Sequence, residues 1–196
     1  MPMYKKGFTL IELMVSVAIF SIVMVVALGS LLAISAAERK AETLKTVMDN
    51  MSFAMEGMSR TIRTGVNYHC DTTNVSGPTL TPQDCPNALT GSTYLALISN
   101  DGYYTAYCLR SNAIWRLRST TMAGLSTTCL AADGFLPITA PEIVVSNLTF
   151  YVKGAPLGDS TQPKVVMLLS GYVNIGSNAS TTFSLQTSVT QRIYDQ

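Results

Sequence analysis

Lys5-Lys6-Gly7-Phe8-Thr9-Leu10-Ile11-Glu12 leads straight into Leu13-Met14-Val15-Ser16-Val17-Ala18-Ile19-Phe20, the start of 25 residues without a charge that end at Ala37. As a helix this run is about 37 Å long at about 1.5 Å per residue, enough to cross a hydrocarbon core of about 30 Å. It predicts a membrane span. Lys5 and Lys6 precede it and the far flank, Glu38-Arg39-Lys40, has mixed sign. The short N-terminus is therefore expected in the cytoplasm and the bulk of the chain on the exported side. A cleaved secretory signal competes, with Ser35-Ala36-Ala37 as a small-residue cleavage site, but such apolar regions normally run only about 7 to 15 residues.

An ordinary signal anchor gives no reason for Glu12. A carboxylate in the apolar region costs about 2.5 to 3.5 kcal/mol on insertion scales, so it needs a partner or a way to the interface. The stretch from Lys5 to Leu13 resembles the class III signal of type IV prepilins and type II secretion pseudopilins: a basic leader, a glycine, an aromatic residue and a glutamate at the fifth mature position. That resemblance implies cleavage after Gly7 by a prepilin peptidase, which also methylates the new N-terminal residue, Phe8. Cleavage frees an ammonium four residues before Glu12, and opposite charges in low dielectric pair. Geometry within one helix does not favour that pair, so a neighbouring subunit's amine is an equally good candidate. The resemblance implies the intersubunit choice, with Glu12 setting the axial register of assembly. The bland alternative is that Glu12 snorkels or caps the first turn.

The apolar span continues into an amphipathic helix. Between Glu38 and Thr64 there is no proline, and Leu44, Met48, Met51, Met55, Met58 and Ile62 recur at helical spacing, with charges elsewhere. Gly65 is placed to end a helix expected from Phe8 to Thr64. Gly29 and Gly57 are its internal breakers. Gly29 falls where many pilins carry a helix breaker, and the resemblance implies local melting there on leaving the bilayer; helix packing through a small residue is the alternative.

After Gly65 the signals become those of strands. The stretch Val66 to Ser92 reads as a long loop, and Tyr94 to Ser99, Tyr103 to Leu109 and Ala113 to Arg118 as a meander with tight turns. Glu142 to Lys153, Lys164 to Asn174 and Thr182 to Tyr194 read as a second antiparallel group, with turns at Gly154 to Pro163 and Gly176 to Ser180. The fold class is α+β, a long N-terminal helix packed on an antiparallel sheet, the type IV pilin fold that the resemblance implies. The pattern Val145-Ser146-Asn147-Leu148-Thr149-Phe150-Tyr151-Val152, an apolar strand, and then Phe183 to Arg192 resembles the minor pilins and minor pseudopilins of the PilW and GspJ kind.

The organisation expected is a leader at 1–7, a transmembrane and filament-core helix at 8–37, an amphipathic helix at 38–64 and a disulfide-containing head at 65–196. Cys70, Cys85, Cys108 and Cys129 all follow the span, in an oxidising compartment on the expected topology. Four cysteines allow three pairings. Cys70 with Cys85 and Cys108 with Cys129 close the short loops, and a loop of about 15 residues gives about 3 kcal/mol.

Composition excludes several classes. Of 196 residues only 13% are charged and the net charge is +1. The head carries six Lys or Arg against seven Asp or Glu, so no nucleic-acid footprint is expected, and Trp115 with Arg116 and Arg118 reads as a solvated hairpin. Asp101, Asp133 and Asp159 sit in glycine-containing loops without a calcium-loop run, so turn chemistry is expected there. No metal, cofactor or catalytic constellation is expected, and His69 alone does not make one. The expectation is a non-enzymatic structural subunit of a type IV pilus or type II secretion pseudopilus, held in the inner membrane and assembled with other pilin or pseudopilin subunits in a tip or initiating complex. The alternative is a membrane-anchored extracytoplasmic binding module that never polymerises.

Overall fold

The computed structural model describes residues 7–73, 75, 79–159, 161–175 and 179–192. Lys5, Lys6, most of the turn expected at Gly176 to Ser180, and the end of the strand expected to reach Tyr194 lie outside them. Among these residues one α-helix, α1 (Leu10–Thr64), is followed by eight strands: β1 (Val66–Cys70), β2 (Tyr94–Ile98), β3 (Tyr104–Arg110), β4 (Ala113–Ser119), β5 (Leu136–Pro137), β6 (Ile143–Lys153), β7 (Lys164–Ile175) and β8 (Ala179–Thr190). The fold is α+β, a long N-terminal helix with antiparallel sheets. The chain divides into two compact units, Met1–Lys45 and Thr46–Gln196.

The first unit holds the apolar part of α1. Residues 7–34 are all exposed, and the helix is long and apolar enough to cross a membrane. Three of its hydroxyls are absorbed by its own backbone. Those of Ser16, Ser21 and Ser30 donate to the carbonyls of Leu13, Val17 and Val26 at 2.9, 2.8 and 3.0 Å, which lowers their cost away from water.

In the second unit α1 buries Val47, Met51, Ala54, Met55, Met58 and Ile62. The buried stripe differs from the one expected: Met48 is exposed and Val47 and Ala54 take its place. A rotation of part of a turn separates the two stripes, and alanine allows the close approach that methionine does not. The helix then packs with Leu95, Leu97, Tyr107, Phe150, Met167 and Leu169 in one core. The end of α1 is closed by the chain around it. Gly65 N–H donates to Ile62 O at 3.1 Å, Arg192 N–H to Arg63 O at 2.8 Å, and the Tyr68 hydroxyl to Ile62 O at 2.6 Å. Gly65 serves by close approach, since a Cβ there would lie 2.6 Å from Leu97 Cδ1 and 3.1 Å from Ile98 O.

The strands form two sheets where one was expected: β1-β2-β3-β4-β5 and β6-β7-β8. β1 falls in the expected loop, because its Val-Asn-Tyr-His-Cys sequence carries no clean alternation and a register shift between Val66 and His69 breaks it further. In β6 the core residues are Ile143 and Val145, then Leu148, Phe150 and Val152, so the inward parity changes from odd to even. A one-residue bulge between Val145 and Asn147 makes that change and keeps both sets on one face. Gly171 lies opposite Val145 and Phe183; a Cβ there would fall on the Val144 carbonyl and 2.8 Å from Phe183 Cζ. The first sheet has a smaller core on its far side, built from Tyr94, Ala96, Ala106, Leu117, Met122, Leu125 and Phe135.

Candidate processing and assembly site

The helix does not begin at Phe8 as expected. Thr9 is the N-cap: its hydroxyl accepts the Glu12 N–H at 3.4 Å and its carbonyl accepts the Leu13 N–H at 3.2 Å. Thr9-Leu10-Ile11-Glu12 is the sequence of a capping box, which satisfies N–H groups that the first turn would leave unpaired. That signal was in the sequence, and it places Gly7 and Phe8 outside the helix, both exposed. A Cβ on Gly7 would meet nothing within 4 Å. Among the described residues, packing inside the chain thus sets no demand for glycine at this position.

Glu12 stands in the first turn of α1, where the partial positive charge of the helix N-terminus favours a carboxylate. It is exposed, and its carboxylate makes no ion pair or hydrogen bond among the described residues. Gly29 and Gly57 sit in unbroken helix with open space where a Cβ would be.

Residues 2–28 match the family of the prokaryotic N-terminal methylation motif. This chain carries a prepilin-type signal. The motif supports the type IV pilin and pseudopilin class, with processing by prepilin peptidase and a structural role rather than an enzymatic one. With the apolar helix it fits a membrane-anchored, single-pass protein. Neither a curated protein nor a solved structure matches the chain.

In the head, Cys70 is bonded to Cys85 and Cys108 to Cys129, with Cα atoms 4.7 and 6.4 Å apart. The segment that Cys85 closes is also tied to β6, through Cys85 N–H to Val152 O at 3.4 Å and Ala155 N–H to Asp84 Oδ1 at 2.8 Å. His69 is fully buried, with Nδ1 2.7 Å from Thr81 O and Nε2 2.7 Å from Thr73 O. Carbonyl oxygens only accept, so the ring donates to the loop through an N–H, and with a carbonyl against each nitrogen the imidazole is held between Thr73 and Thr81. Nothing in the local sequence announced it.

The loop aspartates each have turn partners. Asp101 accepts from the Ser99 hydroxyl and pairs with Arg118, whose guanidinium carbon lies 4.3 Å from the Tyr103 ring centroid. The Ser99 hydrogen bond, helped by Arg118, holds the Asp101 carboxyl below its usual range. Asp133 is likewise held low by the hydroxyls of Thr128 and Ser126. Asp159 accepts the Thr161 N–H at 2.7 Å. The Trp115 indole donates to Arg110 O at 3.0 Å, which fixes the ring along the β3–β4 turn.

Proposed function

We propose that this chain is a minor pilin or pseudopilin: a subunit cleaved after Gly7, methylated on Phe8 and assembled through α1 into a pilus or pseudopilus, in its tip or initiating complex. The observation that carries the reading is the Gly7–Phe8 bond. It lies in exposed, non-helical backbone two residues ahead of a capped apolar helix with Glu12 in its first turn. A membrane peptidase can reach such a bond without unwinding the helix. Lys5 and Lys6 hold the leader on the cytoplasmic side, 8–37 spans the inner membrane, 38–64 joins the span to the head, and 65–196 is exported.

Once Phe8 is freed, its ammonium and the Glu12 carboxylate are the two charges at the apolar end of the subunit. With its own carboxylate unpaired, each subunit offers an acceptor to the next amine, and a unit charge pair in low dielectric supports only a close, registered fit. Gly29 supplies a weak point, about 1 kcal/mol less favourable in a helix than alanine, where the span can loosen on extraction.

Replacing Gly7 with a bulky residue tests the reading. The expected result is an uncleaved chain that stays in the membrane and fails to assemble; a cleavage-blocked chain with full function would establish an anchored binding module instead. Glu12→Gln should be cleaved normally and still fail to assemble.

A further inference from the structure

We infer that β8 is a receiving edge, completed in the assembly by an extended strand from a non-identical subunit. The inference rests on the reading above of the chain as an assembly subunit. Among the described residues, two of the four sheet edges are paired by the chain itself and a third is only two residues long. Along β1, Cys70 N–H donates to Gln83 O at 3.0 Å and Gln83 N–H to Tyr68 O at 2.8 Å. β5 has only two residues, and one is Pro137, which blunts an edge. On β6, Phe150 and Ser92 exchange hydrogen bonds at 2.7 and 2.9 Å, and Val145 N–H donates to Asn112 O at 2.8 Å.

β8 is different. Over 12 residues it pairs with β7 alone, in continuous register from Ala179 to Thr190 without a bulge. Among the described residues no backbone hydrogen bond closes its other side. Ala-Ser-Thr-Thr-Phe-Ser-Leu-Gln-Thr-Ser-Val-Thr contains no charge, no proline and no glycine, so it lacks each device by which proteins guard a free edge. Its two faces are distinct. Phe183 and Val189 are buried and Leu185 packs on the core, while Thr182, Ser184, Gln186, Ser188 and Thr190 are exposed. A strand laid alongside must continue both rows, with apolar side chains inward and short hydroxyl side chains outward, where cross-strand hydroxyl pairs are favourable. The partner segment is therefore uncharged and alternates apolar residues with serine or threonine.

Symmetry selects a non-identical partner. Joining β8 to β8 uses the same surface on both copies and closes a two-fold pair, whereas successive subunits along a filament meet head to tail through different surfaces. Among the described residues this chain has no second open strand edge of comparable length to offer.

The test places a photo-crosslinking amino acid at Ser184, Gln186 or Ser188 of the full-length chain, at native level in the cells that produce it. The expected result is an adduct with a different chain. The crosslinked residue on that chain should advance by two for each step of two in β8, the signature of strand pairing. Ser184→Lys combined with Ser188→Lys should cut the Gln186 adduct about tenfold with the melting temperature unchanged, since edge lysines block pairing. Adducts only with a second copy, adducts that do not step with position, no adduct, or indifference to the lysines each overturn the inference. Because cleavage at Gly7 is read separately on the same samples, loss of the strand adduct in a cleaved chain rejects this inference alone.

Discussion

Glu12 donates its backbone N–H to the Thr9 hydroxyl, 3.4 Å away, so the residue that carries the carboxylate of the first turn also helps to close that turn. The cap settles where the helix starts and leaves the two residues before it free of helical hydrogen bonds. On the proposed reading, the bond after Gly7 can therefore be cut while α1 stays folded.

Thr9→Ala removes this cap, a change that costs about 1 kcal/mol at a helix start, or about a fivefold loss of local protection. Amide hydrogen exchange of Ile11 and Glu12 in micelles should speed up by that factor, with exchange beyond Ser16 unchanged. Thr9→Ser should restore protection.

Two glycines in the second unit should respond with opposite sign. Gly171→Ala drives a methyl into the Val144 carbonyl and the Phe183 ring beside the β6 bulge, and overpacking of this kind costs about 1 to 3 kcal/mol. Gly57→Ala faces open space in the middle of α1 and should stabilise by about 1 kcal/mol. Urea denaturation of the two variants distinguishes them.

His69→Phe keeps a ring in the site but removes both ring nitrogens that face the carbonyls of Thr73 and Thr81. A lost hydrogen bond costs about 1 kcal/mol, and the midpoint of unfolding should fall accordingly. Protease cuts should appear first between Asp71 and Cys85, the segment the imidazole holds.

The pH profile has two limbs with different owners. Asp101 and Asp133 are held low in the folded head, so their contribution is present above the usual carboxylate range, about pH 4, and is lost as pH falls below it. Both are exposed, so salt should weaken this limb. Tyr68, Tyr94 and Tyr107 are pushed up by burial. Their contribution is full below the usual tyrosine value, about pH 10, and is lost as pH rises past it. Thermal melts should show a plateau between these limits, and Asp101→Asn should flatten only the acid limb.

Where the sequence was legible, one period governed one environment. The helix face from Met51 to Ile62 and the strands β7 and β8 each keep one period against one core, and the bounds of these elements moved by only a few residues. The sequence was opaque wherever register changed. β1 is shifted between Val66 and His69, and β6 changes its inward parity at the bulge, so no single period describes either. The split into two sheets depends on which backbone groups capture the edge of β6, and those come from Ser92, Cys85 and Asn112, far away in the chain. At the candidate site the glycine, aromatic and glutamate were readable as a pattern. The position of the helix start followed from Thr9, whose capping role was written in the same residues and is a matter of local hydrogen bonding rather than hydrophobic period.

The most direct test of the account is the intact mass and N-terminal sequence of the chain extracted from membranes that contain an active prepilin peptidase. The account predicts a chain that has lost residues 1–7, begins at Phe8 and carries one added methyl group on its amine. A chain that retains its leader, or one cut near Ala37 and released from the membrane, would contradict it.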